Sequence, residues 1–519
     1  MADENNDRTN TAPTKELSLW KVYGICLLIS TIFFFLFGFN SPIYKFNSDP
    51  DYNIHVTMGN ALIHGKVPYR DLFDHKGPLV YFLYGFCCLF PTPRLAMLLI
   101  EIFCMSLFFF FAFRIARKFL NTFCSLLIIP ILAFIVFPSW NNITSASCIE
   151  EFCLPMLTYF LYCWIEFILE KKQWTWTRGL IIGICIGIIF WSKFIILCFV
   201  IVPMIIWGIK SFQNHQSRSF FINLLFLLIG LFIISTPILV FYGLNQAIND
   251  LCYVYFYMNI ELIFNYEIFH FLEILFERFN IFFTFNPILT ALLTYGLGRF
   301  IINHWKSFKT LSISFLLTFV IILLTYHGLT YYFNILIPYT ILSVTEIYES
   351  IYTKIKFNNY QIRTYSILML SCIILVIPIS ILPTEIKCKK DDYTPLVIAN
   401  LIQNYKFKQQ TSATIFCYKI HDLGLYNATN TIPNNYYFSN YIFEQNQHPE
   451  IYIGYQDSII NQTSDIVITR RDVWYTESIL HENYEPITGY TKSSSFYYLQ
   501  NYSNTEYILI ILIRRGNLT

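Results

Sequence analysis

Apolar and polar residues follow one another along this chain in long blocks. A helix needs about 17–25 apolar residues to cross the hydrocarbon layer of a bilayer. Stretches near that length recur at 19–39, 95–113, 121–138, 149–169, 175–192, 194–209, 219–243, 279–300, 309–326, 328–348 and 363–383. They predict an α-helical polytopic membrane protein with about eleven transmembrane helices. The run GLIIGICIGIIFWSKFIILCFVIVPMIIWGIK, residues 179–210, is long enough to be one helix. We read it as two spans that turn near Trp191-Ser192-Lys193, because a single helix would flip every later connection.

The basic residues carry that choice. Arg114, Arg117 and Lys118 fall in one connection; Lys171, Lys172 and Arg178 in another; then Lys210 and Arg218; Arg299, Lys306 and Lys309; and Lys354, Lys356 and Arg363. With a cytoplasmic N-terminus and eleven spans, all of these lie on the cytoplasmic side, as the positive-inside rule requires. The outer side then receives loop 40–94, the short loop 139–148, loop 244–278 and everything after about residue 384. The segment around 78–90 is too short to span and is expected along the outer surface.

Three parts follow: a cytoplasmic tail at 1–18, a transmembrane domain at 19–383, and an extracytoplasmic domain at 384–519. The last is polar, with strand-like runs ATIFCY, SDIVIT and EYILIILI and a helix-like TPLVIANLIQNY. It reads as a small α/β or α+β domain, and EYILIILI, too short to cross a membrane, reads as a buried strand.

Composition agrees. The chain has 519 residues, 55% hydrophobic and only 13% charged, against about 25% charged in soluble domains. A net charge of +2 gives no electrostatic footprint for nucleic acid. The polar opening MADENNDRTNTAPTKE is not a signal-peptide n-region, so the first apolar stretch is expected to stay as an anchor. Most of the 14 cysteines lie inside apolar stretches, where they act as small hydrophobes. Cys388 and Cys417 lie in the polar C-terminal part, and a disulfide between them is left open.

The first outer loop is unusually rich in ionisable groups. NSDPDYNIHVTMGNALIHGKVPYRDLFDHKGPLVYF, residues 47–82, holds Asp49, Asp51, Lys66, Arg70, Asp71, Asp74 and Lys76, with His55, His64 and His75. Asp49-Pro50 reads as a helix start, aspartate at the N-cap and proline at the first helical position. Ile54, Met58, Ala61 and Leu62 then form one apolar face, which predicts an amphipathic helix on the membrane surface. Asp49 has a sufficient job as the cap. Asp51, in the first turn, is kept ionised by the helix dipole and is suited to take a proton from an incoming hydroxyl. The Asp-Pro-Asp spacing also matches a metal–nucleotide-sugar pattern of soluble transferases, which we set aside because no nucleotide-sugar pool faces the outside. Arg70, His75 and Lys76 offer cations to a phosphate, and Asp71 and Asp74 are their alternative partners.

The pattern G-x-x-P-Y-R-D-x-F-D-x-K-G-P-L-x-Y-F, residues 65–82, after an aspartate-containing outer loop, resembles the GT-C superfamily of integral-membrane glycosyltransferases. It is most similar to bacterial relatives of the dolichyl-phosphate-mannose–protein mannosyltransferases, some of them teichoic-acid or cell-wall polysaccharide glycosyltransferases. The layout resembles the family over the whole chain. The resemblance implies a polyprenyl-phosphate sugar as donor and a first-loop carboxylate as general base on the acceptor. That family acid lies about fourteen residues before the Gly65 position, at Asp51, with Asp49 as the rival; the Asp-Glu frequent at this point in the mannosyltransferases is absent here. Glu150 and Glu151 resemble an acidic pair of these relatives, as acceptor-site or metal-site carboxylates. Lys193 resembles the family's lysine near the lipid phosphate, and His327 lies in a stretch that resembles its His/Tyr-rich segment. Donor-phosphate candidates are therefore Lys193, Arg70, Lys76 and His327. The aromatic run 251–271 is an interfacial belt or a sugar-stacking surface.

The expected activity is transfer of a sugar from a polyprenyl-phosphate donor to a cell-envelope glycan, lipid or protein acceptor at the outer face of the cell membrane. No cofactor is demanded, and a divalent metal is left open. The alternative is a polytopic transporter or flippase, or a polymerase, of lipid-linked polysaccharide; a transporter leaves the first-loop cluster and the outer domain without a task, and shows hydropathy symmetry that is absent here.

Overall fold

The computed structural model describes residues 17–47, 49–133, 148–170, 174–264, 271–285, 287–325, 330–354, 394–409, 413–421, 424–441, 443, 445–486, 496–500 and 506–514. Helices lie in ten of the eleven stretches expected as spans, and the eleventh, 363–383, lies outside the described residues; among the described residues six helices, or seven if a bent pair counts as one, are long and apolar enough to cross a membrane. The first nine helices are α1 Leu19–Phe37, α2 Pro50–Ile63, α3 Pro78–Cys88, α4 Pro93–Ala116, α5 Thr122–Ile131, α6 Ile149–Glu170, α7 Trp176–Lys193, α8 Cys198–Gln213 and α9 Ser217–Leu244. Later helices include Trp305–Thr325, which is apolar enough to cross a membrane, and Ile337–Lys354. The stretch expected as one span at 279–300 is instead two helical arms, Leu275–Thr284 and Pro287–Asn303, sharply bent. Pro287 opens the second arm, a position that suits proline's fixed φ.

The apolar run Trp176–Gln213 doubles back. Gly179 lies against Asn223, Gly183 against Leu227 and Gly187 against Ile234, so α7 and α9 ascend in parallel. The helix between them, α8, must therefore descend. The stacked rings of Trp174 and Trp207, 4.6 Å apart, close the hairpin at its base. The turn falls where the sequence placed it: Lys193 leaves helical geometry at φ −163°, ψ 94°. Gly179, Gly183 and Gly187 recur every fourth residue, and small residues at that spacing let membrane helices approach backbone to backbone. A Cβ on Gly179 would stand 2.7 Å from the Asn223 carbonyl oxygen.

The two ends of the bundle differ in chemistry. At one end Lys118 and Arg178 pair with Glu166, at 2.6 and 2.5 Å, and Arg299 pairs with Glu346 at 3.2 Å. At the other end lie the loop between α1 and α4, the start of α6, the end of α7 and the C-terminal region.

The C-terminal region holds a helix at Thr394–Gln409 and five strands: β1 Ile415–Cys417, β2 Ile466–Arg470, β3 Tyr484–Pro486, β4 Phe496–Gln500 and β5 Glu506–Arg514. β1 and β2 are parallel, joined across the helix Pro449–Ile460; β5 pairs antiparallel with β2 on one edge and with β3 and β4 on the other. All three strand-like runs and the helix-like run of the sequence are therefore realised. Residues Leu509–Ile513 of β5 are buried. Cys417 is a buried strand residue, and Cys388 lies outside the described residues.

This sheet and the first loop share one hydrophobic core. Ile54, Tyr69, Leu72 and Phe73 of the loop belong to the same buried cluster as Ile415, Phe438, Val467 and Leu512. The Phe73 amide donates to the Tyr436 carbonyl (2.9 Å), and the Tyr441 hydroxyl donates to the Phe73 carbonyl (2.6 Å). In consequence α2 is not a half-exposed surface helix: every residue from Tyr52 to Gly59 is buried. One flank meets α3 so closely that a Cβ on Gly59 would stand 2.5 Å from the Gly85 nitrogen; the other meets Gly424 of the C-terminal region.

Candidate functional site

The start of α2 separates its two aspartates. Asp49 caps the helix, its Oδ1 accepting from the Tyr52 amide at 3.0 Å, and its own amide donates to Asn47 Oδ1 at 3.0 Å. Asp51 sits one residue inside the helix, where the dipole favours its charge, and its carboxylate turns to the C-terminal region. Its Oδ1 lies 3.3 Å from His421 Nε2. The His421 Nδ1 is 2.9 Å from the Asn440 carbonyl.

Charges converge on Asp51. Burial pushes its carboxyl up, but the Lys76 charge and the His421 hydrogen bond and charge outweigh burial and hold it well below the ordinary range. Burial pulls His55 down to about 3 and drives His75 well below its usual value, so both rings are neutral. Lys76 has no carboxylate within ion-pair distance among the described residues, although Asp51 and Asp74 both feel its field. Asp74 is buried and raised by that burial; it accepts from the Tyr81 hydroxyl at 2.9 Å and from the His75 amide at 2.9 Å.

Gly77 fixes where this loop lies. A Cβ there would overlap the carbonyls of Trp191 and Ser192. The Lys76-Gly77 turn therefore rests on the end of α7, beside Lys193. The Lys193 Nζ pairs with Glu150 Oε1 at 2.6 Å and stands 3.6 Å from the centre of the Tyr332 ring. Glu150 Oε2 also accepts from Cys148 Sγ at 3.3 Å. Two residues singled out for different tasks are thus partners. Glu150 and Glu151 do not form a pair with each other. Glu151 faces the field of Glu101 on α4, and both its oxygens are buried without a hydrogen-bond partner among the described residues. Glu101 in turn accepts from Asn40 Nδ2 at 3.0 Å.

Arg70 stands apart. Its guanidinium grips Asp71 with two hydrogen bonds, 2.8 and 2.9 Å, and donates to the Asn245 carbonyl at 2.8 Å. It clamps the loop to the end of α9, and it is not among the charges acting on Asp51. The Tyr69 backbone before it is left-handed, at φ 71°. His327 lies outside the described residues; Tyr331 and Tyr332, just after it, reach Lys193, and Tyr331 also feels Asp51. In the run 251–271, Tyr255 stacks on Trp191 and is buried, whereas Tyr253 and Tyr257 stack on each other and are exposed.

Among the described residues, one group of His, Cys, Asp or Glu has ligand atoms mutually close enough for a metal: His304, Glu346 and Glu349, within 4.8 Å of one another. It lies at the basic end of the bundle, away from Asp51, and Arg299 and Asn303 already occupy Glu346. Sequence reasoning missed His421, which lies 370 positions from its partner. It also missed Glu101, an acid within an apolar stretch, which burial cost alone could have flagged.

Residues 75–240 match the sequence profile of the family described as dolichyl-phosphate-mannose-protein mannosyltransferase. Crystal structures of ArnT from Cupriavidus metallidurans, bound to undecaprenyl phosphate and in the apo state, superpose over 95% of this chain and 97% of theirs, with TM-score 0.52 and 10% identity. This chain has a GT-C-type fold. The apo Archaeoglobus fulgidus oligosaccharyltransferase covers 96% of this chain and 75% of its own, at TM-score 0.49 and 12% identity. No curated protein matches by sequence. The similarity of fold to ArnT thus extends over nearly the whole chain. The profile match begins at His75, next to Lys76, and ends within α9, so it takes in Glu150, Glu151 and Lys193.

Proposed function

We propose that this protein is a membrane glycosyltransferase that moves a sugar from a polyprenyl-phosphate donor to a cell-envelope acceptor at the outer face, with Asp51 as general base. The observation that carries the reading is the placement of Asp51 at the end of the bundle away from the basic connections, facing His421 and in the field of Lys76, which no carboxylate pairs with among the described residues. The undecaprenyl phosphate named for the ArnT complex and the mannosyltransferase profile support a lipid-phosphate donor.

The chemistry needs little else. The acceptor hydroxyl gives its proton to Asp51 as its oxygen attacks the anomeric carbon. The bond from that carbon to the phosphate oxygen breaks, and the electron pair leaves with the polyprenyl phosphate. Attack opposite the leaving group inverts the anomeric centre. Lys76 is placed to stabilise the charge developing on the phosphate, with Lys193 behind it, held to Glu150. Arg70 has a holding role and Asp49 a capping role. Teichoic acid and other wall polysaccharides are acceptors of the right class, with a hydroxyl presented outside the membrane.

The test is transfer by the purified protein in nanodiscs, using undecaprenyl-phosphate sugars, alongside sugar analysis of the envelope after gene deletion. Transfer by the wild type and none by Asp51→Asn supports the reading. Transfer undiminished in Asp51→Asn removes Asp51 from it.

A further inference from the structure

We propose that His421 of the C-terminal region is a positioning residue for Asp51, sharing a proton with its carboxylate and passing the acceptor's proton out to water. The inference rests on the glycosyltransferase reading and extends it: the C-terminal sheet region completes the site.

The Asn440 carbonyl can only accept, so the His421 Nδ1 facing it at 2.9 Å carries a hydrogen. In a neutral imidazole the other nitrogen, Nε2, would then present a lone pair to Asp51 Oδ1, 3.3 Å away. Two lone pairs do not face each other at that distance. A proton therefore lies between them, and the pair is imidazolium with carboxylate or imidazole with carboxylic acid. The local charges favour the ionic form, because Lys76 also acts on Asp51 while His55 and His75, the other rings near it, are buried and neutral. Asp74 and Tyr331, the latter from the segment before the helix Ile337–Lys354, also lie in the field of Asp51.

The ring is held for this task. Asn440 is fixed by its amide donating to the Ile420 carbonyl at 3.0 Å. The neighbouring backbone at Gly424 (φ +84°) packs on Phe46 and Asn53, where a Cβ would stand 2.5 Å from the Phe46 ring. The His421 side chain is 38% exposed and the Asp51 side chain 28%, so the pair has a route to water. The proton count closes. The resting pair holds one proton on His421. Attack adds the acceptor's proton to Asp51. The pair then holds two, and one leaves to solvent through the exposed imidazole, which restores the carboxylate.

Two readouts separate this from a structural role and from the function itself. In isotope-labelled protein the His421 ring, assigned by comparison with His421→Gln, titrates at higher pH in the wild type than in Asp51→Asn, by about one pH unit or more, because the carboxylate stabilises the imidazolium. In the transfer assay His421→Ala loses about tenfold or more of kcat and its rate no longer falls on the alkaline side. His421→Gln, which keeps a donor toward Asp51, recovers part of the rate without the alkaline fall; a direct acid–base group would be worth about 10²–10⁴. An unchanged His421 titration in Asp51→Asn overturns the proposal. A shifted titration in a protein that transfers no sugar leaves the dyad standing and removes the glycosyltransferase reading instead.

Discussion

Lys193 and Glu150 meet at 2.6 Å at the end of α7, with the Tyr332 ring under the ammonium. Neither is free to serve a ligand independently, because the glutamate is fully buried and the lysine nearly so. Removing one partner strands a charge in a low-dielectric setting, at a cost of about 3–5 kcal/mol. Lys193→Met and Glu150→Gln should each lower thermal stability strongly, and the double variant should lose less than the sum of the two. If the double variant regains stability but not transfer, Lys193 also acts on the donor. Strict additivity of the two losses would remove the pairing.

The two first-loop aspartates should behave differently. Asp49→Asn keeps a capping side chain and should retain folding and most transfer, while Asp49→Ala should cost about 1 kcal/mol of stability. Asp51→Asn should fold like the wild type and transfer nothing. Denaturation and turnover measured together decide the assignment, and loss of transfer in Asp49→Asn with retention in Asp51→Asn reverses it.

The parallel packing of α7 on α9 predicts a sharp contrast between glycines. Gly183→Val should destabilise by about 1–3 kcal/mol or prevent folding, because even a Cβ at Gly183 would overlap the Leu227 carbonyl. Gly24→Ala, on α1 with nothing within 4 Å of the added atom, should be neutral or slightly stabilising. Yield and melting temperature in detergent check this; equal tolerance at both positions would contradict the described approach of the helices.

Asp71 links loop stability to pH. Its hydrogen bond from Arg70 is the main cause that holds its carboxyl below the ordinary value. A carboxyl depressed in the folded state stabilises above its unfolded pKa, about 3.9, and that contribution is lost as pH falls through the lower folded value. Hydrogen exchange of residues 67–73 should therefore quicken below about pH 4 in the wild type and vary less with pH in Asp71→Asn. Equal acid sensitivity in both proteins would show that the clamp contributes nothing.

Local signals in the sequence were legible where one short segment decides its own geometry. Asp49-Pro50 starts α2, Lys193 marks the turn between α7 and α8, and ATIFCY, SDIVIT and EYILIILI become strands. What sequence spacing did not show are relationships between distant segments. Glu150 and Glu151 look like one acidic pair, yet successive helical residues point about 100° apart, so one meets Lys193 and the other faces Glu101. The Arg70 guanidinium also reaches the Asn245 carbonyl, 175 positions away, which no local signal reports. The apolar face of α2 looked lipid-facing because nothing in residues 50–63 reports that the far end of the chain covers it.

That cover has a consequence for biosynthesis. Tyr69 and Phe73 share a core with Leu509–Ile513, so the first loop leaves the ribosome several hundred residues before the strand that seals it. At about 5–20 residues per second, the greasy side of the loop waits tens of seconds for its lid. A chain stalled before β5 would hold the acid and the lysine of the site with their shelter missing, and such nascent intermediates should be clipped by protease between residues 63 and 78 while the finished protein resists.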